Sequence, residues 1–305
     1  MAYYLGIDGG GTKTRCVLAD ETTVLAKAMT GGCSVIRLGE QKAREALHTA
    51  IRQVCAAAKM TPDRVSAVCI GVTGAARPEI AAKIRSILAE LISESARAKI
   101  EVVGDTVIAL EAAFGAGPGV VAIAGTGSIV YGRDAAGHTE RAGGWGFAVS
   151  DEGSGYWIGR RAVSAILNSL DQGMETALTA MVLRAWKLNT IDELVQQANS
   201  TPPPDFPRLF PIVLRAADEA DGIARDLLAD AGTKLAELTS TVVRRLAPQA
   251  SADTLPVATT GSVFRQSPLV RQVFYNLLQK DLPGIDVRQD LADPVDGALA
   301  RARRL

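Results

Sequence analysis

The sequence predicts a two-domain α/β protein on three observations. The chain has 305 residues, room for two cores at about 150 residues per domain. Short apolar runs alternate with segments of helical period along its whole length. A strand, a glycine-rich turn and a second strand open the chain and occur again near residue 120, so two related α/β halves are expected to meet near residue 115.

Tyr3 to Ile7 is the first strand, ending at Asp8 and the glycines Gly9 to Gly11; Arg15 to Asp20 is the second and Val24 to Met29 the third. Gln41 to Lys59 carries Ala43, Ala46, Leu47, Ala50, Ile51, Val54 and Ala58 at the spacing of one helical face. Val65 to Val72 is an unbroken apolar run of the kind a parallel sheet buries on both faces, and a helix over Glu79 to Glu94 follows it. Ile100 to Val103 is a strand ending at Gly104 and Asp105, and Val107 to Phe114 is a helix. After the punctuation of Gly115 to Gly119 the pattern restarts with strand Val120 to Ala124, turn Gly125 to Ser128 and strand Ile129 to Arg133. Helical patterns cover Tyr156 to Leu170, Glu175 to Trp186 and Ile212 to Leu246, and the prolines between Thr201 and Pro211 demand an extended loop. Strands at Leu255 to Thr259 and Ile285 to Arg288, a helix over Pro268 to Lys280 and a last helix from Pro294 complete the chain. The domains are expected over residues 1–115 and 116–305, with room for the last helix to return to the first.

Hydrophobic residues are 48% of the chain and charged residues 22%, the balance of a folded protein. Lys and Arg number 33, as do Asp and Glu, so no net field draws the protein to nucleic acid or an anionic membrane, and neither partner is expected. No apolar stretch reaches the roughly 20 residues that span a bilayer, and acid and glycine stand where a signal peptide would be apolar, which points to the cytoplasm. Cys16, Cys33, Cys55 and Cys69 form no C-x-x-C pair and read as small buried hydrophobes. His48, in a helix, and His138, in a turn, cannot make a zinc site between them and are expected to be solvated.

The strongest chemical signal is Asp8-Gly9-Gly10-Gly11-Thr12-Lys13-Thr14. It is no Walker A loop, because Thr12 separates Gly11 from Lys13 and a strand follows instead of a helix. Its glycines let backbone N–H groups turn inward, and Thr12 and Thr14 add hydroxyls, so the turn can wrap a phosphate while Asp8 holds a hydrated Mg²⁺. A glycine hairpin with no ligand is the plain alternative. Gly125-Thr126-Gly127-Ser128 repeats the device, and two such turns imply a phosphate chain gripped from two sides across an interdomain cleft. Asp105 lies at a strand's carboxyl end, where α/β sheets put ligand contacts; it suits a general base toward a hydroxyl attacking phosphorus, and equally a helix N-cap. Gly143 to Gly155 is too glycine-rich for regular structure, yet it carries the indole of Trp145 and the carboxylates of Asp151 and Glu152, groups that bind sugars. It also reads as a helix start capped by Ser154. Gly261-Ser262-Val263 is a third turn, suited to backing an adenine or ribose.

In this order, Asp8 to Thr14, Gly104-Asp105, Gly125 to Ser128, Gly143 to Ile158 and Gly261-Ser262-Val263 resemble the N-acetylglucosamine kinase branch of the BadF/BadG/BcrA/BcrD-type ATPases, within the actin-like ATPase and sugar kinase superfamily. The resemblance runs nearly end to end and is most specific in Gly-Gly-Trp-Gly and Asp-Glu-Gly-Ser-Gly-Tyr-Trp-Ile-Gly. It implies two ribonuclease-H-like domains with ATP and a sugar meeting in the cleft between them, Mg²⁺ bridging the phosphates, and a homodimer. The implied reaction is phosphorylation of a hydroxyl of N-acetylglucosamine, glucosamine or N-acetylmuramic acid. Asp105 is then the base, and Asp8 holds the metal through water. Gly10, Gly11, Thr12, Lys13, Thr14, Gly125, Thr126, Gly127, Gly261, Ser262 and Arg265 fall to ATP. Ser34, Thr73, Gly74, Asp105, Ser128, Gly144, Trp145, Gly146 and Asp151 fall to the sugar. Two positions depart from the family: Ser34 stands where asparagine is usual, and Ile129 follows the second turn where a polar residue is usual, which puts the identity of the sugar in question. Two rival functions stand beside this one. A noncatalytic sugar or nucleotide sensor is opposed by the presence of Asp8, Asp105 and the turn threonines. An ATPase activator of an acyl-coenzyme A dehydratase, which needs cluster cysteines, is opposed by the lack of any cysteine beyond residue 69.

Overall fold

The structure is a computed structural model that describes residues 2–92, 98–247 and 255–305. The chain divides into two compact units, Met1–Gly117 with Ala292–Leu305, and Pro118–Leu291.

In the first unit β1 (Tyr4–Gly9), β2 (Lys13–Ala19) and β3 (Val24–Gly31) are followed by α1 (Val35–Leu38), α2 (Glu40–Ala57), β4 (Ala67–Val72), α3 (Pro78–Ile92), β5 (Lys99–Val103) and α4 (Asp105–Phe114). The sheet order is β3-β2-β1-β4-β5, with β1, β4 and β5 parallel and β2 antiparallel to both its neighbours. All six residues of β4 are buried, as its unbroken apolar run requires. β2 alternates: Cys16 and Leu18 join the core under α2 and α3, whereas Val17 and Ala19 face the opposite layer. The expected stripe of α2 is the one buried, from Ala43 to Val54. Of the helix expected to Glu94, the stretch to Ile92 is observed; residues 93 and 94 lie outside the described residues.

The second unit begins with β6 (Gly119–Ala124), β7 (Ser128–Arg133) and β8 (Thr139–Gly143). The helices α5 (Gly155–Asp171), α6 (Ala177–Trp186), α7 (Ile191–Ala198), α8 (Phe210–Asp218) and α9 (Gly222–Leu246) follow. Then come β9 (Val257–Thr260), α10 (Ser262–Gln266), α11 (Pro268–Asp281) and β10 (Val287–Leu291). The order β10-β9-β6-β7-β8 repeats the first sheet's topology: the first strand is central, antiparallel to the second and parallel to the fourth. After β10 the chain returns to the first unit as α12 (Pro294–Ala302), where Val295 and Leu299 cover Val17 and Ala19, and Ala298 and Ala302 pack on Cys69 and Ile108.

Several expectations need correction. α1, β8, α7 and α10 are additional to the expected elements. The single helix expected over Ile212 to Leu246 is two, because the chain turns at Ala220 with φ of 69° and Asp221 caps α9. The proline-rich loop does not stay extended to Pro211: Phe206–Leu209 is a 3₁₀ turn and α8 starts at Phe210, with Pro211 in the first turn where its missing N–H costs nothing. The last strand begins later than expected, at Val287. His48 is half-buried instead of fully solvated; its Nε2 lies 3.0 Å from the Ile87 carbonyl, between α2 and α3.

Candidate active site

In the first unit three strand ends converge. β1 and β4 run in parallel register, with Asp8 opposite Gly71 and Gly9 opposite Val72, and β5 runs parallel to β4. Asp8, Thr73 and Asp105 therefore share the carboxyl edge of one sheet, the edge at which open α/β sheets bind ligands. The turn after Asp8 is closed by Gly10 N–H donating to the Lys13 carbonyl at 2.9 Å and tied down by Cys33 N–H donating to the Gly10 carbonyl at 3.1 Å. Thr12 and Lys13 are exposed, whereas Thr14 is fully buried on the face of Cys16 and Leu18. Ser34 is buried and caps α1, its Oγ accepting from Arg37 N–H at 3.4 Å. Gly74, with φ of 87°, lies against Ile36.

Asp105 is the first residue of α4, and Gly104 occupies the cap position. Its Oδ2 accepts from the Thr73 hydroxyl at 2.7 Å and its Oδ1 from Thr106 N–H at 3.0 Å, so the carboxylate is fixed at both oxygens. Burial pushes Asp8 up to about 6; the Arg15 guanidinium opposes this, while Asp105 and Asp293 add to it. Arg15 itself is paired with Asp293, which caps α12. Neither Arg15 nor Asp293 belongs to a motif that marks a site in the sequence, although an Asp before a Pro that opens a helix is a legible cap.

In the second unit the turn after β6 is closed by Gly125 N–H donating to the Gly127 carbonyl at 2.9 Å. The start of α5 is stitched to it: Gly155 N–H donates to the Gly125 carbonyl at 2.8 Å, Tyr156 N–H to the Thr126 carbonyl at 3.2 Å, and the Ser128 hydroxyl to the Glu152 carbonyl at 2.7 Å. Ser154 caps α5 by accepting from Trp157 N–H at 3.1 Å. At the end of β9, Gly261 has φ of 106°, and a Cβ there would stand 2.1 Å from the Ala124 carbonyl oxygen. Only glycine lets these two parallel strand ends approach, so the turns at Gly125 and Gly261 are neighbours. Ser262 opens α10, and Arg265 is exposed near its end.

The glycine-rich segment leaves β8 through Gly143, Gly144 and Gly146, with φ of 70°, 69° and 105°. Ile129 lies beneath it, 2.6 Å from where a Cβ of Gly144 would be. Asp151 is buried, and burial pushes its carboxyl up although the backbone N–H groups of Gly146 and Ser128 favour the charged form. Trp145 is 68% exposed, with the Arg141 guanidinium carbon 3.8 Å from its ring centroid. Phe147 packs on Tyr156 at 4.8 Å, and Tyr156 on Phe206 at 5.2 Å. All four cysteines are free and buried, and burial is the largest cause holding each thiol protonated, Cys33 and Cys55 at about 11. Among the described residues no helix is long and apolar enough to cross a membrane.

A profile of the BadF/BadG/BcrA/BcrD ATPase family matches residues 5–300. The N-acetylmuramic acid/N-acetylglucosamine kinase of Clostridium acetobutylicum is 31% identical over 308 residues, covering 99% of each chain. The N-acetyl-D-glucosamine kinase of Dictyostelium discoideum is 30% identical over 308 residues, covering 97% of this chain and 96% of its own. Among solved structures, a candidate N-acetylglucosamine kinase from Chromobacterium violaceum superposes with a TM-score of 0.79 at 29% identity, covering 98% of each chain.

Proposed function

The chain belongs to the BadF/BadG/BcrA/BcrD ATPase family, and on that premise we propose that it is an ATP-dependent amino-sugar kinase, acting on N-acetylglucosamine or a related sugar such as N-acetylmuramic acid or glucosamine. One observation supports this above all: the Asp105 carboxylate stands at the ligand-binding edge of its sheet with both oxygens oriented, as a general base needs. In this reading Asp105 accepts the proton of the attacking hydroxyl while Thr73 and Thr106 hold it. Gly10 and Gly125 close the two turns through their own N–H groups, and Gly11, Thr12 and Lys13 in one turn and Thr126 and Gly127 in the other offer backbone N–H groups and hydroxyls to the phosphates. Gly261, Ser262 and Arg265 serve the nucleoside. Ser34, Gly74, Ser128, Gly144, Trp145, Gly146 and Asp151 shape the sugar's surroundings.

Phosphoryl transfer is catalysed by positioning and charge neutralisation, and Mg²⁺ supplies the latter when bound. The residues fit that ion: Mg²⁺ keeps most of its waters and takes one or two carboxylates plus phosphate oxygens, and Asp8 is a partly buried carboxylate whose charge is costly until a cation offsets it. The same reading takes the protein as a cytoplasmic homodimer acting on a free sugar. The activator function is disfavoured by the burial of all four cysteines, which pack inside the first unit and present no sulfur at a surface where a cluster could be shared.

A coupled ADP-release screen over N-acetylglucosamine, glucosamine, N-acetylmuramic acid, glucose and N-acetylmannosamine tests the proposal. Sugar-dependent ADP release is expected, falling by about 10²- to 10⁴-fold in Asp105→Asn. Release that no sugar raises above background would favour the sensor instead.

A further inference from the structure

Building on the kinase reading, we propose that Arg141 sets the charge selectivity of the sugar site, its guanidinium receiving a carboxylate borne by an amino sugar while the Trp145 indole holds it in place.

Arg141 lies on β8, opposite Tyr131, two residues before the strand gives way to the glycine-rich turn at Gly143. Two contacts fix its head group over that turn. The guanidinium carbon is 3.8 Å from the Trp145 ring centroid, and Nη1 donates to the Gly143 carbonyl at 3.2 Å. Among the described residues no carboxylate lies within ion-pair distance of it, although acids are close in sequence. Glu140 pairs with Arg245 at 3.7 Å, Glu152 accepts from the Ser150 hydroxyl at 3.0 Å, and Asp151 faces the backbone N–H groups of Gly146 and Ser128. Arg245 also donates to the Arg141 carbonyl, so the strand is braced without using the Arg141 side chain.

A guanidinium lying on an aromatic face keeps its in-plane N–H groups for a second partner, and their fork matches a carboxylate. The indole thus orients the cation without neutralising it. Trp145 is the exposed aromatic of the segment assigned to the sugar, so an anionic substituent on a sugar beside it meets Arg141. N-acetylglucosamine carries no such group. N-acetylmuramic acid is the same ring bearing a lactyl ether that ends in a carboxylate, and it is the sugar this arrangement favours.

The test compares kcat/KM for N-acetylmuramic acid and N-acetylglucosamine in wild type, Arg141→Gln and Arg141→Lys. Removing the fork weakens Trp145's support for both sugars, but the ratio of acidic to neutral sugar should fall a further tenfold or so in Arg141→Gln, the scale of a lost hydrogen bond to a charged group. Arg141→Lys should retain an intermediate ratio, and serves alone should the glutamine variant not fold. The wild-type ratio should also decline as salt rises. A ratio unchanged by either substitution, or equal losses for both sugars, overturns the proposal. If wild type phosphorylates neither sugar, the kinase reading has failed, and calorimetric titration with each sugar then decides the selectivity separately. Tighter binding of the acidic sugar, lost in Arg141→Gln, sustains it, and equal or absent binding overturns it.

Discussion

Gly297 is where the fold of the first unit and its chemistry meet, and Gly297→Ala should damage both. α12 crosses α4 at this residue, and a Cβ would stand 2.0 Å from the Ile108 carbonyl oxygen and 2.6 Å from the Ala112 nitrogen. The first distance is about 1.4 Å inside ordinary contact, and both obstacles are backbone, which cannot rotate aside. Alanine is the better helix former by about 1 kcal/mol, so the sign is a contest. Overpacking a core costs about 1–3 kcal/mol or more, and here it must push α12 away from α4 and loosen Ala298 and Ala302, both fully buried, from Cys69 and Ile108. The clash should win, leaving a net loss of about 1–2 kcal/mol and lowering Tm by roughly 2–7 °C, the upper end if the first unit unfolds on its own. Because α4 begins at Asp105, moving it by about 1 Å also draws the carboxylate from Thr73, and a misplacement of that size costs roughly 100-fold in rate. Thermal unfolding and sugar-dependent ADP release measure the two effects. A variant with Tm at or above wild type and unreduced turnover would refute the reasoning, since the helices would then absorb the methyl group without disturbing the base.

Thr73→Val deletes the hydroxyl that donates to Asp105 Oδ2, and should lower kcat about tenfold or more with little change in the sugar's KM, the scale of a hydrogen bond to a charged group. Thr73→Ser should recover most of the rate; a Thr73→Val enzyme with wild-type kcat would show that the hydroxyl does not orient the base. Arg301→Ala should destabilise the protein at pH 7, because Arg301 holds Glu101 through Nε at 2.9 Å and lies 3.7 Å from the buried Glu111. Its hydrogen bonds hold the Glu101 carboxyl below its usual 4.5. A lowered folded value means stability present above that range and lost as pH falls through it, so the Tm gap between wild type and variant should close in acid. A gap independent of pH would mean that Arg301 acts by packing alone.

The strands that enter the site are legible in the sequence because they are buried on both faces or alternate cleanly, β4 and β2 being the examples. The strand β8 is not, since Thr139, Glu140 and Arg141 give no apolar alternation; an edge strand tolerates that. The helix α7 is legible twice over, by Ile191, Leu194, Val195 and Ala198 on one helical face and by a capping signal in which Thr190 accepts from Glu193 N–H and Glu193 from Asn189 N–H; its eight residues make both signals short. Within the site, the glycine turns and Asp105 stand out by composition. Thr14 groups with them by proximity in sequence, but period-two alternation from Cys16 and Leu18 puts it on the core face, where it is fully buried. The partners that orient the chemistry, Thr73 to Asp105 and Arg141 to Trp145, are 32 and four residues apart and depend on strand register and on the turn's backbone angles, which no local pattern states.

The repeated topology sharpens the choice of base. In each half the fifth strand runs into a helix that opens with aspartate: β5 into α4 at Asp105, and β10 into α12 capped by Asp293. Both helices belong to the first unit and pack against each other there, so two aspartates of equivalent topological origin stand in one unit, both near enough to Asp8 to raise its proton affinity. Their neighbours separate them. Asp293 meets the guanidinium of Arg15, which takes up its charge and fixes it as the cap that anchors the returning helix. Asp105 meets the hydroxyl of Thr73 and the N–H of Thr106, which orient the carboxylate without a countercharge. A carboxylate spent on a guanidinium is committed to structure, whereas one held only by neutral donors keeps its negative charge for a substrate proton. This supports Asp105 as the proposed base, and exchanging the neighbours' chemistry, by Thr73→Arg for instance, should cost activity while leaving α4 folded.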